Sequence, residues 1–465
     1  MAHGRTLAIV GGGFSGSVLA CALLTRSAHR YQRLLLIDRG VPGRGLAYAE
    51  QAYPLLLNVP AGRMSAEPRQ PLDFVHFAQR RLSGAQAHDF LPRALYGDYL
   101  QQKLATAARA ALPALRLEHV RGEAVALARA SPSGWQLLLT DGRRILAHEL
   151  VLALGNPPPM RLPALEPLEG SSCYVADPWS APLGFGVEEC VLVIGTGLTM
   201  ADIVTAGMAG AGGRARVHAL SRHGLLPPPQ TAFTQASLPP MGRRALLEGK
   251  PTVRRLVQCV RALAAEHASQ GGDWREVIAL VRQQAPRLWQ GLPPCERRRF
   301  LRHARTYWDI HRHRLPEQTH AQLKRLTACG QLQLHAGRLL ASGIEGSRVR
   351  VRWRPRGAHR DLELRADRII NCTGPDYDVR RSHDPLVRML LAQGLISADP
   401  LGLGMRTGTH GALLDREGRA VPGLYYLGPM LRAAHWECTA AAELRSHAEE
   451  LAQHLSAPWL ERALA

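Results

Sequence analysis

The alternation of apolar and polar positions predicts strands and helices in turn, and this pattern occurs twice. Near the start of the chain, an apolar run at residues 7–10 breaks into GGGFSG and resumes at helical spacing from Val18. An apolar run, a glycine turn and a helix together are typical of a βα unit. A second run, Cys190–Ile194, breaks into GTGLTM and leads into another helical segment. The repeat predicts two folds of one type in a single chain.

The segments between and after these turns predict further elements. Helical spacing is found at residues 74–82 and from Tyr96 onward, whereas residues 54–65 are apolar but interrupted by proline and glycine, as in an ordered loop. Short strands follow, with a hairpin turn at Asp141-Gly142. The end of the chain predicts a strand, a glycine turn and a long helix that return to the first fold.

Each glycine of the first turn has a separate role in a dinucleotide site. Gly11 permits the tight turn, Gly13 lets the backbone approach a pyrophosphate, and Gly16 lets helix and strand pack closely. The helix N-terminus offers free N–H groups and a positive dipole end to the phosphates. The next apolar run ends in Asp38, where a carboxylate can accept hydrogen bonds from the ribose hydroxyls. The alternative is a glycine-rich turn that binds no nucleotide.

The second turn departs from this pattern at two places. Met200 stands where the third glycine is usual, which puts close packing of helix on strand in question. The following strand ends in Ser221-Arg222-His223 and not in an acid. An acid repels a 2′-phosphate, whereas arginine can bind one through two hydrogen bonds, so the sequence favours NADPH over NADH. We expect this cofactor to be bound by Gly195, Thr196, Gly197, Ser221 and Arg222.

The formal net charge of +20 suggests an anionic ligand. The positive charge is spread along the chain as arginine, since Lys103, Lys250 and Lys324 are the only lysines. No basic tail or stacking-aromatic motif of the RNA-binding kind accompanies it, so we predict no nucleic-acid partner. An anionic cofactor and an anionic small-molecule substrate are the expected uses of this positive field.

The remaining composition excludes several classes of site. No run approaches the roughly 20 apolar residues of a membrane helix, and the N-terminal apolar stretch continues directly into the glycine turn, unlike a signal peptide. We therefore expect no membrane partner and a cytoplasmic location. The eight cysteines include no CxxC or CxxxxC pair, which argues against a zinc site and against the redox pair of disulfide reductases. No metal site is predicted.

The stretch ERRRFLRHARTYWDIHRHR leaves two interpretations open. Apolar residues recur on one helical face, as in a packed core: Phe300, Leu301, Ala304 and Trp308. Polar residues of the same stretch can hold an anionic substrate if the helix lies beside an active-site cleft: Arg302, Arg305, Tyr307 and Asp309. His311 and His313 are two residues apart and face different sides of a helix, which argues against a metal pair.

With two glycine turns, an inserted second fold and a returning C-terminus, the chain resembles the two-dinucleotide-binding flavoproteins. Among them it is most similar to the FAD–NAD(P)-binding group related to flavin-dependent N-hydroxylating monooxygenases of the lysine and ornithine type. The phrases that carry the resemblance span nearly the whole chain: IVGGGFSG, LLNVPAGRMSA, FLPRALYGDYL, LALGNPPP, DPW, VIGTGLTM, ALSRHGLLP, FLRHARTYWDIHRHRL, NCTGP, DPLGLG and LGPMLRAAHWECTA.

The resemblance implies FAD at the first turn and NADPH at the second. FAD is then expected at Gly11, Gly13, Phe14, Ser15, Gly16 and Asp38, with the backbone of Val125 at the adenine, and Asn58, Gly428, Pro429 and Thr439 at the flavin end. In related monooxygenases an asparagine placed like Asn58 lies beside the reactive face of the flavin, so Asn58 is the candidate catalytic residue. The alternative for Asn58 is a loop asparagine that bonds its own backbone.

These observations predict an α/β chain with two Rossmann-like dinucleotide-binding domains, the second inserted in the first. We expect an FAD-binding domain at 1–185, an NADPH-binding domain at 186–375 with a helical insertion at about 228–330, and a return to the first domain at 376–465. The resemblance implies an NADPH-using monooxygenase that reacts with O₂ and hydroxylates a small amine-type substrate through a flavin hydroperoxide. Two alternatives stay open: a flavin-dependent reductase or dehydrogenase without oxygenation, and an FAD/NAD(P)-binding redox sensor without turnover.

Overall fold

The apolar runs before the two glycine turns become central strands of two separate sheets. The computed structural model describes residues 5–26, 30–51, 53–111, 113–131, 134–180, 184–210, 212, 214–231, 244 and 246–457. The strands are β1 Thr6–Val10, β2 Arg33–Asp38, β3 Arg116–Arg121, β4 Ala124–Ser131, β5 Gly134–Leu139, β6 Arg144–Ala147, β7 Glu149–Leu152, β8 Tyr174–Val175, β9 Cys190–Ile194, β10 Arg216–Ser221, β11 Leu332–Glu345, β12 Arg348–Pro355, β13 Leu362–Ala366, β14 Arg368–Asn371, β15 Ala412–Leu414 and β16 Ala420–Tyr426.

The helices alternate with these strands in the nucleotide folds and follow one another in the insertion. They are α1 Phe14–Leu24, α2 Asp73–Gln79, α3 Arg93–Ala111, α4 Leu198–Gly210, α5 Val253–Ser269, α6 Trp274–Gly291, α7 Pro294–His303, α8 Arg305–Arg312, α9 Glu317–Ala328, α10 Pro385–Ala392 and α11 Ala441–Ser456. Short 3₁₀ turns include Ala61–Arg63 and Pro429–Ala433. The helices and strands expected from the apolar pattern are confirmed, and residues 54–65 form a loop that contains one of these 3₁₀ turns.

The first sheet has the strand order β15-β16-β7-β1-β2-β3. Strand β1 runs parallel to β2 on one side and to β7 on the other. Strand β16 is parallel to β7, with Leu424 opposite Leu150, so the C-terminal part of the chain contributes a strand to the first sheet. Helix α1 is buried between this sheet and the helices α3 and α11, and Leu19 is fully inaccessible.

The second sheet has the order β13-β12-β11-β10-β9-β14-β8 and repeats the plan of the first. Its central strand β9 runs parallel to β10 and to β14, as β1 does to β2 and β7. Strands β11, β12 and β13 add an antiparallel edge. Strands β4, β5 and β6 form a separate three-stranded antiparallel sheet, whose hairpin turn lies at Gly142 with φ +85°.

The segment between β10 and β11 is largely helical and contacts both folds. Helices α5 and α6 begin at side-chain caps, since Thr252 accepts the N–H of Arg255 and Asp273 accepts the N–H of Arg275. Trp289 of α6 packs against Trp436 of the C-terminal segment, whereas Leu323 of α9 lies in the core beside α4. Part of the expected insertion, residues 232–243, lies outside the described residues.

The helices of the described residues differ from membrane-spanning helices in length and hydropathy. None of them is both long enough and apolar enough to cross a bilayer. This agrees with the composition, in which charged side chains interrupt every long helical segment.

Candidate active site between two glycine turns

The first glycine turn is built so that two of the three glycines of its GxGxxG motif admit no side chain. Gly11 has φ +109° and donates its N–H to Ile37 O at 2.8 Å. A Cβ atom on Gly11 would lie 2.4 Å from Ala153 O, and one on Gly16 would lie 1.8 Å from Gly11 O. A Cβ atom on Gly13 would meet nothing closer than Gly45 Cα at 3.6 Å. The open space beside Gly13 therefore fits a ligand that approaches the backbone.

The N-terminus of α1 and Asp38 complete this turn. Helix α1 has Gly13 as its N-cap, with no side-chain cap and no acidic residue in its first turn. Phe14 and Ser15 are buried at its start. Asp38 accepts the N–H of Gly12 at 2.6 Å and that of Gly40 at 2.8 Å. Free helix N–H groups beside an anchored carboxylate suit the pyrophosphate and a ribose of FAD.

A loop that the sequence motif did not identify covers this turn. Gly43 donates its N–H to Gly12 O at 2.7 Å, and Gly45 has φ +52°. A Cβ on Gly45 would lie 2.9 Å from Gly13 Cα, so this position also depends on glycine. The only signal in the sequence was the pair of glycines in VPGRG. On the other side of Asp38, Gly122 N donates to Asp38 O at 2.9 Å, and Val125 follows, half-buried, on β4.

The second glycine turn reproduces the backbone arrangement of the first. Gly195 has φ +120° and donates its N–H to Leu220 O at 2.8 Å. A Cβ on Gly195 would lie 2.4 Å from Cys372 O, whereas a Cβ on Gly197 would have no neighbour within 4 Å. Thr196 Oγ1 lies 2.9 Å from Ser221 Oγ, which joins the turn to the end of β10.

Met200, which stands where the third glycine is usual, packs between α4 and its strand. Its side chain is fully buried and lies in the same apolar cluster as Val191 and Val193 of β9. Helix α4 therefore packs closely on its strand through a large side chain, whereas α1 packs closely on its strand because Gly16 has no side chain.

Basic groups lie at the end of β10, where the sequence predicts a 2′-phosphate. Arg222 is exposed, and no hydrogen bond or ion pair holds its side chain among the described residues. His223 Nδ1 lies 2.8 Å from Arg356 Nη1, and its ring packs on Tyr307. Burial and the neighbouring guanidinium groups of Arg356 and Arg222 lower the pKa of His223. Arg356 is a candidate phosphate ligand that sequence reasoning missed, because it follows a distant strand, β12.

The loop that carries Asn58 packs with the residues expected at the flavin end. Leu57 and Ala61, on either side of Asn58, lie in the same apolar cluster as Leu427, which precedes Gly428. Asn58 is partly exposed, and its side chain makes no hydrogen bond to the described residues. The alternative in which Asn58 bonds its own backbone therefore has no support in this geometry.

Arg93 connects this loop to the second turn. Its Nε donates to Leu56 O at 2.9 Å, and its Nη2 lies 2.8 Å from Asp202 Oδ2. Asp202 is on α4, two residues after Met200, and burial raises the pKa of its carboxyl despite the contact with Arg93. The loop with Asn58 is therefore tied to the helix that follows the second glycine turn. Sequence reasoning gave no signal for this link.

Gly428, Pro429 and Thr439 lie at the end of β16 and the start of α11. Gly428 has φ +156°, and a Cβ there would lie 2.6 Å from Leu154 O. Pro429 is buried and its carbonyl accepts from Cys438 Sγ at 3.5 Å, whereas Thr439 stays partly exposed immediately before α11. The residues predicted at the flavin end therefore lie on a segment whose two ends are joined by the contact between Pro429 and Cys438.

The insertion is held to this segment by Glu437, which is 5% exposed. Glu437 Oε1 accepts the Nε1–H of Trp308 at 2.8 Å, and Glu437 Oε2 accepts the Nε–H of Arg312. Arg282 Nε lies 4.0 Å from the same carboxylate. Removing one partner from a buried ion pair of this kind costs about 3–5 kcal/mol. The insertion is therefore firmly attached two residues before Thr439.

The arginine-rich stretch is divided into α7 and α8 by a break at Ala304. The apolar face packs as expected, since these residues lie against the cluster of Trp289 and Trp436: Phe300, Leu301, Ala304 and Trp308. Of the polar residues, Arg305 pairs with Asp309 at 3.3 Å, Tyr307 is 43% exposed, and Arg302 is exposed. Among the described residues, no group of histidine, cysteine and acidic side chains is arranged to hold a metal ion.

All eight cysteines lie in described parts of the chain and are free. Cys372 and Cys438 are buried, and burial raises the pKa of each thiol, that of Cys438 to about 12. A raised pKa keeps a thiol protonated and unreactive. A cavity of about 970 Å³ lies between α1, α3 and α11, and none of the predicted site residues lines it.

Comparisons with known proteins agree with this geometry. A family model described as FAD-NAD(P)-binding matches residues 8–157. None of the curated proteins matches the sequence. Among solved structures, the reduced form of the ornithine hydroxylase from Pseudomonas aeruginosa is similar, with a TM-score of 0.63 and 15% identity over 98% of this chain and 99% of that chain.

Two further structures extend the comparison. The ornithine N-hydroxylase of Kutzneria sp. 744, with reduced FAD, NADP⁺ and L-ornithine, has a TM-score of 0.61 and 15% identity over 100% of both chains. The bacillithiol disulfide reductase of Bacillus cereus has a TM-score of 0.53 and 14% identity over 97% of this chain and 98% of that one. The chain is therefore an α/β protein with two Rossmann-like folds; its residues 8–157 match the FAD-NAD(P)-binding family model, and its overall fold is similar to that of the two ornithine hydroxylases.

Proposed function

We propose that the protein is an FAD-dependent, NADPH-using monooxygenase that hydroxylates a small amine-type substrate. The observation that carries the proposal is the position of the Asn58 loop. Arg93 joins this loop to α4, the helix that follows the second glycine turn, by a hydrogen bond and an ion pair. Leu57 of the loop packs beside the end of β16. One loop thus touches both cofactor-binding folds, which is where a hydride donor and a flavin have to meet.

The residues of this chain supply binding, orientation and exclusion of water. Gly11, Gly13 and Gly16 with the α1 N-terminus would hold the FAD pyrophosphate, and Asp38 a ribose. Asn58 would offer an amide N–H and a carbonyl to the reactive face. When bound, the flavin supplies the reaction with O₂, and NADPH supplies the electrons. No side-chain nucleophile is required for this chemistry.

NADPH as the electron donor is part of the proposal and is supported by the basic groups at the end of β10. Arg222 is exposed, and its side chain makes no hydrogen bond or ion pair with the described residues. Arg356 contacts His223, which follows Arg222 in the chain. Both guanidinium groups can bind a 2′-phosphate with charge-assisted hydrogen bonds. Ser221, which takes the place of an acid, adds no repulsion.

The proposal is tested by product analysis with purified, FAD-loaded protein. NADPH oxidation in air with a panel of small amines should yield a hydroxylated product in an amount that matches the NADPH consumed for one substrate class. Asn58→Ala should divert NADPH oxidation towards hydrogen peroxide, with about a tenfold to hundredfold loss of coupling, because a buried hydrogen bond is worth about 1–3 kcal/mol. NADPH oxidation that never yields a hydroxylated amine would contradict the proposal.

A reductase without oxygenation is the second candidate, favoured by the similarity in fold to the bacillithiol disulfide reductase. The cysteine spacing argues against a dithiol mechanism, since the sequence has no CxxC or CxxxxC pair. A flavin can nevertheless pass electrons to an external acceptor. Turnover with an artificial acceptor, and none that consumes O₂ for hydroxylation, would favour this second candidate.

A further inference from the structure

The first turn of helix α3 contacts the beginning of both nucleotide-binding folds. Arg93 is the first residue of α3, and its Nη2 lies 2.8 Å from Oδ2 of Asp202, which is on α4 one helical turn after Leu198. Tyr96, one turn further along α3, is fully buried, and its ring stacks on that of Phe14 with centroids 6.2 Å apart. Phe14 and Leu198 are the first residues of the helices that follow the two glycine turns. One turn of α3 thus joins the two candidate cofactor sites.

The guanidinium group of Arg93 is held by three segments of the chain. Besides its ion pair with Asp202, its Nε donates to Leu56 O at 2.9 Å, on the loop that carries Asn58. The guanidinium also lies 6.0 Å from the centre of the Trp179 ring, which follows β8 of the second sheet. The side chains of Arg93 and Asp202 are 18% and 15% exposed. The position of Arg93 is therefore set by a loop of the first fold and by two segments of the second.

Asp202 is part of the rigid body that carries the second glycine turn. Its neighbours Ala201 and Ile203 are buried in the same apolar core as Val193 of β9. Because α4 is packed on β9, Asp202 cannot shift without moving the glycine turn between them. The contact with Arg93 therefore acts on the whole second site and not on one side chain.

The pair of Arg93 and Asp202 contributes a defined position more than it contributes stability. Burial raises the pKa of the Asp202 carboxyl although Arg93 lowers it, so removal from water is not fully offset by the pairing. Apolar side chains of similar size would stabilise such a contact equally well. They would also allow the two surfaces to slide, whereas a hydrogen-bonded ion pair at 2.8 Å fixes their register.

We propose that Arg93 and Asp202 are positioning residues for electron transfer, which fix the second glycine turn, and the NADPH expected there, relative to the flavin end. This rests on the part of the proposed function in which NADPH reduces FAD. In that step a hydride, one proton with two electrons, passes from NADPH to FAD and leaves NADP⁺. The reacting atoms have to be about 3–3.5 Å apart, and a displacement of about 1 Å can lower the rate about a hundredfold.

Arg93 also positions the loop of Asn58, because one guanidinium group binds both Leu56 O and Asp202. The two residues of the pair should therefore differ in one respect. Replacing Arg93 releases both the loop and α4, whereas replacing Asp202 releases α4 and leaves the hydrogen bond to Leu56 O in place.

The test is anaerobic stopped-flow reduction of the FAD-loaded protein by saturating NADPH, followed by flavin absorbance. Arg93→Gln and Asp202→Asn should each lower the limiting rate about tenfold to hundredfold. The double variant should lose little more than either single variant, because the two residues act as one pair. FAD content should be unchanged, and the Kd for NADP⁺ should change less than about threefold, since neither residue is expected to contact the nucleotide.

Arg368→Gln is the matched control. Arg368 pairs with Glu189 at 2.8 Å and is 21% exposed, close to the value for Arg93. It likewise donates to a backbone oxygen, that of Gly184, and lies 5.5 Å from the centre of the Phe185 ring. All these partners belong to the second fold, so Arg368→Gln should leave the limiting rate unchanged.

Hydrogen exchange of the oxidised, FAD-loaded protein provides a measurement that does not depend on turnover. In Arg93→Gln, amides of residues 54–65 should exchange about twofold to tenfold faster than in the wild type, the effect of losing one hydrogen bond. In Asp202→Asn and in Arg368→Gln, exchange of this loop should stay as in the wild type. Equal exchange of the loop in Arg93→Gln and the wild type would contradict the positioning role of Arg93.

Three kinetic outcomes would overturn the proposal. They are limiting rates within about twofold of the wild type in both pair variants, an equal loss in Arg368→Gln, and a rise in the Kd for NADP⁺ with no change in the limiting rate. Failure of the proposed function looks different. Wild-type flavin that NADPH does not reduce would contradict both, whereas slow reduction in the pair variants and no hydroxylated product from the wild type would contradict hydroxylation alone.

Discussion

The two glycine turns have the same backbone arrangement and different chemistry around it. In each, a glycine with positive φ donates its N–H at 2.8 Å to the end of the neighbouring strand, Gly11 to Ile37 and Gly195 to Leu220. At the first turn the neighbouring strand ends in Asp38, an acceptor for ribose hydroxyls. At the second it is followed by Arg222, a donor for phosphate. In the proposed assignment, the common backbone holds a pyrophosphate at each turn, and the residue at the strand end selects the nucleotide.

The helices that follow the two turns also differ in how they pack on their strands. Gly16 is needed because a Cβ there would lie 1.8 Å from Gly11 O, while Met200 at the corresponding position is fully buried in an apolar core. Close packing of helix on strand is achieved by opposite means at the two turns. The third glycine of the motif is therefore a requirement of the packing geometry at the first turn and not of close packing between helix and strand in general.

The largest expected effect is the loss of a different cofactor when each turn is blocked by a bulky side chain. Gly13→Leu fills the space beside the first turn, and Gly197→Leu fills the space beside the second. In neither variant does the new Cβ atom clash with the protein. Gly13→Leu should weaken FAD binding by up to about a hundredfold, since overpacking by a bulky side chain costs up to about 3 kcal/mol. Gly197→Leu should stay yellow and lose NADPH binding instead.

Flavin absorbance of the purified variants and NADPH titration provide the measurement. The wild-type protein and Gly197→Leu serve as controls for FAD content. A yellow, fully loaded Gly13→Leu protein would contradict the assignment of FAD to the first turn.

Stability measurements test the opposite packing at the third position. Gly16→Ala should be destabilised by more than about 4 kcal/mol or fail to fold, because the new Cβ overlaps a backbone oxygen. Met200→Ala should lose about 2–5 kcal/mol of unfolding free energy through the cavity it creates. Urea denaturation of both variants is the measurement. A stable Gly16→Ala protein would show that the two turns pack alike.

Cofactor preference tests the difference at the strand ends. Arg222→Ala should raise the KM for NADPH about tenfold to hundredfold, because a charge-assisted hydrogen bond is worth about 1.5–3 kcal/mol. The KM for NADH should change little. Steady-state kinetics with both cofactors decide this, and equal losses with NADH and NADPH would mean that Arg222 has a structural role.

A smaller effect is expected at Arg356, the basic residue that follows β12. Its side chain is exposed and contacts His223, so any contact with the 2′-phosphate is screened by solvent and Arg356→Gln should raise the KM for NADPH only about twofold to fivefold. This effect should disappear at high salt, whereas that of Arg222→Ala should be reduced but persist. Arg350→Gln, elsewhere on the same strand, is the control.

The sequence was sufficient for the fold because local patterns and chain order determine it. Apolar runs before Gly11 and Gly195 predicted β1 and β9. The return of the C-terminal segment followed from its strand, turn and helix. The break at Ala304 was not foreseen, because the apolar face of the stretch continues across it.

The candidate site was less accessible to sequence reasoning because its contacts are long-range. Motif spacing identified the glycines and Asp38, which act within one βα unit. Arg93 contacts Asp202, which is 109 residues away, and Arg312 contacts Glu437, which is 125 residues away. No local pattern marks an arginine whose partner lies that far along the chain, so these links had to come from the structure.

Stopped-flow absorbance tests the central claim, oxygenation, most directly. NADPH-reduced, FAD-loaded protein is mixed with O₂ in the presence of NADP⁺ and the candidate amines. The account predicts a transient that absorbs in the near ultraviolet and differs from both reduced and oxidised flavin, with a lifetime shortened about tenfold to hundredfold in Asn58→Ala. Reoxidation in one step without that transient, across all these amines, would contradict it and favour the reductase.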